Sequence, residues 1–244
     1  MVAALTQAAS SRIRGILFDK DGTLLDFNRT WVPLNRRAAI TVAAGDRPLA
    51  ARLLASAGHD PESNHVAPGS LLAAGDAGEI ATHWASLLPG SSLERLTEQV
   101  DRIFSASAEE AVPVPAMAEV VRDLHEQGYR LGLATSDSEA AARGFLARCG
   151  LEELFCYVAG WDSGDGRKPE PGMVQAFARR SSLAPGAIAM IGDSPQDMRM
   201  GLDGGAGLLI GVLTGTATTA DLQPPAHRVL ASIADLAAYL AKSA

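Results

Sequence analysis

The chain has 244 residues, 47% apolar and 20% charged, with a formal net charge of −7. That length accommodates one full α/β domain with a smaller insert and a sizeable core. The acidic balance argues against a nucleic-acid partner or an anionic membrane surface, either of which would favour a basic face, and no apolar run is long enough for a membrane span.

Met1 to Ser11 is small and polar, lacks the charged and apolar regions of a signal peptide, and is expected to be a mobile tail. The default location is cytoplasmic. Gly15-Ile16-Leu17-Phe18 is a short apolar run that stops at Asp19, the pattern of a buried parallel strand. From about Asn28 to Ala111 the chain becomes rich in Ala and Leu. Helices are predicted at Trp31–Ala44, Pro48–Ala57, Ile80–Leu88 and Ser92–Ala108. Gly58 to Gly78, rich in Gly, Pro, Ser and Asn, reads as loop with at most one helical turn.

Beyond Val112-Pro113 strands and helices alternate. The predicted strands are 130–134, 155–159, 187–191 and 207–212. The predicted helices are Pro115–Gln127, Ser138–Cys149, Pro171–Arg180, Ser194–Leu202 and Ser232–Ala241. This rhythm implies βαβ units and an open, mostly parallel Rossmann-like sheet. The expected organisation is an α/β core over 12–27 and 112–244, interrupted by an α-helical cap domain over 28–111. Cys149 and Cys156 match no common zinc or redox spacing and read as buried thiols of a reducing compartment.

Four segments at strand ends carry chemistry. Asp19-Lys20-Asp21-Gly22-Thr23 places two carboxylates two residues apart, then a glycine turn that can bring backbone N–H groups near an anion. Asp21-Gly22 alone would pass for an ordinary turn, which leaves Asp19 unexplained. Gly192-Asp193-Ser194-Pro195-Gln196-Asp197 offers carboxylates to an oxygen-seeking Mg²⁺. The same residues can cap a helix with Pro195 at its first position, and the two roles are compatible. Thr135-Ser136 could hold a phosphate oxygen at a strand-to-helix junction, or serve the cap of the following helix. Lys168 lies between Gly164-Asp165-Gly166 and Pro169-Glu170-Pro171, where a fixed ammonium could neutralise both a carboxylate nucleophile and phosphoryl oxygens.

Taken together and in this order, these segments resemble the haloacid dehalogenase-like (HAD) hydrolase superfamily, over about Ile13 to Asp26 and Val112 to Val212. Asp19-Lys20-Asp21-Gly22-Thr23 matches the family's first motif, Thr135 its second, Lys168 its third and Gly192–Asp197 its fourth. The insert resembles the C1-type helical cap of phosphoglycolate phosphatase-like members.

The resemblance implies a Mg²⁺-dependent phosphatase acting on a small phosphorylated metabolite, 2-phosphoglycolate being one candidate. Asp19 would be the nucleophile and form an aspartyl-phosphate. Asp21 would be the general acid and then the base, and Lys168 a third catalytic group. Thr135, Ser136 and Lys168 would bind phosphate. A carboxylate oxygen of Asp19, the backbone carbonyl of Asp21 and the carboxylate of Asp193 would hold the metal, with Asp197 in support. Lys20 departs from the apolar residue often found between the two aspartates. Cap closure would exclude water and select the substrate. Its candidate contacts are Asn28, Arg29, Trp31, His59, His65, Ser70 and His83, with Arg29 and Ser70 ranked first. Trp31 and Trp84 read more naturally as helix core.

The alternatives are a β-phosphoglucomutase-like phosphotransferase using the same residues, and a non-catalytic binding protein on the same fold. The latter would be expected to lack one of Asp19, Asp21, Lys168 or Asp193. A monomer and a homodimer are both compatible with the Ala-rich helices.

Overall fold

The structure is a computed structural model that describes residues 13–105 and 107–242. The tail expected at Met1–Ser11 lies outside the described residues.

Among the described residues six strands form one sheet: β1 (Gly15–Phe18), β2 (Arg130–Ala134), β3 (Phe155–Ala159), β4 (Ile188–Gly192), β5 (Leu208–Val212) and β6 (Arg228–Leu230). Their order is β3-β2-β1-β4-β5-β6, with every neighbouring pair parallel. This is the Rossmann-like α/β core that the alternating pattern implied. β1, β4 and β5 are buried throughout, which is why they read as unbroken apolar runs rather than alternating ones. β6 was not anticipated. It has three residues, an exposed Arg228 and a sheet-edge position, so it produces no apolar run.

The order matters for the site. From β1 the chain builds outward to β2 and β3 on one side, then returns to β4 on the other. The β1–β4 boundary is therefore the topological switch point, where crevices form outside the carboxyl ends of strands. Register places Phe18 beside both Leu133 and Ile191. Asp19, Thr135 and Asp193 thus emerge from three adjacent strands at nearly the same level.

Helices between strands start where their sequences direct. Ser138 caps Glu139–Arg148, its Oγ accepting from Ala141 N at 3.2 Å. Ser194 caps Pro195–Asp203 with Pro195 in the first turn. Met173, Val174 and Phe177 of Gly172–Ser181 are fully buried and join Leu17, Met190 and Leu209 in one apolar cluster.

Two compact units are present. One is Phe27–Val112 and the other comprises the residues on either side. The first unit contains the long helices Phe27–Val42, Arg47–Ser56, Ala77–Ser86 and Leu93–Phe104, with single turns at Leu71–Ala74 and Ser107–Glu110. The last predicted helix therefore ends earlier than expected, and the chain makes a separate turn. Asp76 and Glu79 form a capping box that starts Ala77–Ser86, three residues before the apolar signal at Ile80. The inserted unit has its own core around Trp84, Leu53, Ala38, Ala39, Ile80 and Val100. Trp84 is fully buried and its indole N–H donates to Leu53 O at 2.9 Å. Trp31 packs edge-on against Phe104 at 5.3 Å. Both tryptophans serve as helix packing, as their sequence setting suggested. No helix is long and apolar enough to cross a membrane among the described residues. The two cysteines are free and only half-buried, a correction to the expectation of buried thiols. Cys156 lies on the edge strand β3, with one side of the sheet open beside it.

Candidate active site

Asp19 is the first residue beyond β1, and its N–H continues the sheet by donating to Ile191 O at 2.8 Å. Its carboxyl group is buried. Lys168 Nζ donates to Asp19 Oδ1 and lies 2.6 Å from Asp197 Oδ1. Among the described residues, Asp19 Oδ2 has no hydrogen-bond partner. Asp193 follows β4 and is also buried. One oxygen from each of Asp19, Asp193 and Asp197 falls within 4.8 Å of the others. Three carboxylates against one ammonium leave two negative charges uncompensated when all are ionised.

The electrostatics express that imbalance. Burial pushes the Asp19 carboxyl up to about 7, against the pull of the Lys168 ammonium. Burial also raises Asp193 well above the usual carboxylate range, reinforced by the charges of Asp19 and Asp197. Burial alone would pull the Lys168 ammonium down, but Asp19 and Asp197 hold it above its normal value. A buried cluster of carboxylates of this kind is costly without a counter-ion. A divalent cation fits it on three counts: an orphaned buried carboxylate oxygen, an all-oxygen donor set and the net charge.

Asp197 is fixed from behind. Its Oδ2 accepts from Ser194 N at 3.1 Å and Ser194 Oγ at 2.6 Å, and its own N–H donates to Ser194 Oγ at 3.2 Å. The capping and charged-cluster readings of Gly192–Asp197 therefore hold together. The helix N-terminus sets the aspartate whose other oxygen faces Lys168.

Gly22 has a positive φ of 82°. A Cβ there would come within 2.5 Å of Asp193 Oδ2 and 2.7 Å of the Gly215 backbone. Close approach as well as conformation thus demands glycine. The loop after β5 completes this wall, with Thr214 Oγ1 donating to Gly22 O at 2.6 Å and Thr216 N donating to Asp193 Oδ2 at 3.3 Å. Sequence reasoning assigned nothing to Thr214-Gly215-Thr216. Its one signal was a Thr-Gly-Thr step at the end of an apolar strand.

Thr135 is fully buried, and its Oγ1 donates to Asp21 Oδ2 at 3.4 Å and accepts from Asp137 N at 3.1 Å. Ser136 is exposed. Asp21 is partly exposed, and its carboxylate is not among the clustered three. Lys20 is buried and pairs with Asp137 at 2.6 Å and Asp21 at 3.2 Å. Asp137 was overlooked, because an aspartate before a helix is usually a cap. Among the residues proposed for the inserted unit, His59 pairs with Asn64 at 3.0 Å and His83 with Ser56 at 3.1 Å. Ser70 Oγ is buried and has no hydrogen-bond partner among the described residues.

The sequence pattern of the haloacid dehalogenase-like hydrolases matches residues 13–205. The chain belongs to that family. With this HAD membership and the buried aspartate cluster, it is an enzyme, a phosphatase of the HAD type. Phosphoglycolate phosphatase of Shigella boydii is 28% identical over 235 residues, covering 87% of each chain. That of Salmonella typhi is 27% identical over 206 residues, covering 77% of this chain and 76% of its own. A HAD family hydrolase of Deinococcus radiodurans, solved with bound phosphate and sodium, shares the fold with a TM-score of 0.70. It is 21% identical and covers 95% of this chain and 96% of its own. A HAD-superfamily hydrolase of Geobacter sulfurreducens has a TM-score of 0.69 at 17% identity, covering 94% of this HAD chain and 97% of its own.

Proposed function

We propose that this HAD enzyme hydrolyses a small phosphomonoester with Mg²⁺ through an aspartyl-phosphate, 2-phosphoglycolate being the first substrate to test. The observation that carries the reading is the state of Asp19. One of its oxygens is clamped by Lys168, and the other, buried beside Asp193 and Asp197, has no hydrogen-bond partner among the described residues. A carboxylate so held at a sheet switch point is suited to attack an incoming phosphorus and to share a cation.

In this reading Asp19 attacks phosphorus, and the ester oxygen leaves with a proton from Asp21. Asp21 then takes a proton from the water that opens the acyl phosphate, returning Asp19 to its starting state. Lys168 and Thr135, with Ser136 beside them, bind the transferring phosphoryl oxygens. Asp19, the Asp21 carbonyl and Asp193 would hold Mg²⁺, and Asp197 keeps Lys168 in place. When bound, Mg²⁺ supplies charge neutralisation between the carboxylate nucleophile and the phosphate dianion. The inserted helical unit, expected over 28–111, is assigned the role of a C1-type cap that selects the substrate. The relatives named phosphoglycolate phosphatases support the choice of first substrate.

The test is phosphate release from a panel of small phosphomonoesters, with Mg²⁺ and with EDTA, for wild type and Asp19→Asn. Release that needs both Mg²⁺ and Asp19 is the expected result. Metal-loaded wild type that releases phosphate from no ester would sink the hydrolase reading. Phosphoryl exchange between sugar phosphates would then be the activity to measure.

A further inference from the structure

The HAD reaction assigned above uses Asp19, Asp21, Thr135, Lys168 and Asp193, but leaves a second buried ammonium without a task. Lys20 sits between the two aspartates, and its side chain is 3% exposed. A lysine in that setting must find carboxylates or it destabilises the fold. It finds two, Asp137 Oδ2 at 2.6 Å and Asp21 Oδ2 at 3.2 Å.

The arrangement closes into a ring. Lys20 contacts Asp21 Oδ2, Thr135 Oγ1 donates to the same oxygen, Asp137 N donates to Thr135 Oγ1, and Asp137 Oδ2 returns to Lys20. Its anchor is stiff. Asp137 Oδ1 accepts from Ser138 N at 2.7 Å, and Asp137 O accepts from Trp161 N at 3.0 Å. A Cβ on Gly160 would run into the backbone of Asp137, Ser138 and Glu139, so the turn after β2 lies directly on the end of β3. Asp137 is thus held by two neighbouring strand ends. It offsets the ammonium's charge at the shorter distance, while Lys20 and Thr135 together grip one oxygen of Asp21 and fix how that carboxyl group is turned.

We infer that Lys20 and Asp137 are positioning residues that aim Asp21 at the leaving-group oxygen. The inference rests on the role given to Asp21 above. In the step concerned, Asp19 forms a bond to phosphorus and the ester P–O bond breaks. Its electron pair leaves on the ester oxygen, which receives the Asp21 proton. An alkoxide needs that proton. p-Nitrophenolate does not.

The test compares kcat/KM for p-nitrophenyl phosphate and for 2-phosphoglycolate, or for the best alkyl phosphate of the panel. This ratio reports only steps up to departure of the leaving group. Lys20→Met is expected to lower kcat/KM for the alkyl ester by about 10- to 100-fold and to leave that for the aryl ester within about 3-fold. Lys20→Arg should recover part of the loss. Lys20→Met/Asp137→Asn, which removes one charge of each sign, should recover thermal stability without recovering alkyl-ester hydrolysis. If Lys20→Met lowers both esters equally, or the double variant restores alkyl-ester hydrolysis, the positioning role is overturned and Lys20 only balances charge. Wild type inactive on both esters would remove the role of Asp21 and this inference with it.

Discussion

Two buried lysines, Lys20 within the Asp19–Asp21 segment and Lys168 beside it, occupy opposite kinds of surroundings. Lys168 faces Asp19 and Asp197, which are almost fully buried, and a third buried carboxylate, Asp193, stands beside them. That side carries surplus negative charge that solvent does not reach. Lys20 faces Asp21 and Asp137, which are 23% and 26% exposed. There the surplus charge is partly hydrated. The same residue type, equally buried, therefore marks two functions. Where carboxylates are buried and outnumber the ammonium, the region suits a divalent ion and a phosphoryl group. Where water shares the load, the lysine orients its partner.

The sharpest way to break this contrast is at Asp19. Asp19→Asn should lower metal-dependent phosphate release by about 10⁴-fold or more, because it removes the nucleophile. EDTA on wild type should have a comparable effect, and both are read by steady-state phosphate release. Next in size is Lys168→Met, which strands Asp19 and Asp197 without their ammonium. Urea unfolding in EDTA should show a loss of about 3–5 kcal/mol, and Mg²⁺ should recover part of it. Retention of full stability in EDTA would mean that the cluster does not need Lys168.

Lys20→Met should be milder, about 1–2 kcal/mol by the same measurement, since Asp21 and Asp137 can take up water. A loss as large as that at Lys168 would erase the distinction between the two regions. Asp193→Asn should go the other way in EDTA. It relieves repulsion among buried carboxylates, so Tm should rise by a few degrees, while the increase in Tm on adding Mg²⁺ should shrink. Smallest is Ser136→Ala, an exposed change expected to stay within about 0.5 kcal/mol in stability and to lower kcat/KM by only a few-fold, because an exposed hydroxyl is one of several phosphoryl contacts. An unchanged kcat/KM would take its hydroxyl off the phosphoryl group.

Local pattern was enough for the architecture of the core. Five parallel strands announce themselves as short apolar runs, because most of their residues are buried. It also put Asp19, Thr135 and Asp193 just beyond the ends of β1, β2 and β4, since a strand's end in sequence is its carboxyl edge in space. Strand β6 escaped because three residues at a sheet edge bury too little to leave a periodic signal. What only the tertiary structure decided is which charges meet. The Lys168–Asp19 pair spans 149 residues and the Lys20–Asp137 pair spans 117, and sheet order rather than sequence spacing sets such distances. Asp137, Thr214, Gly215 and Thr216 acquire their roles in the same way. Each is an ordinary turn residue until parallel strands from distant parts of the chain bring it beside Asp21, Gly22 or Asp193.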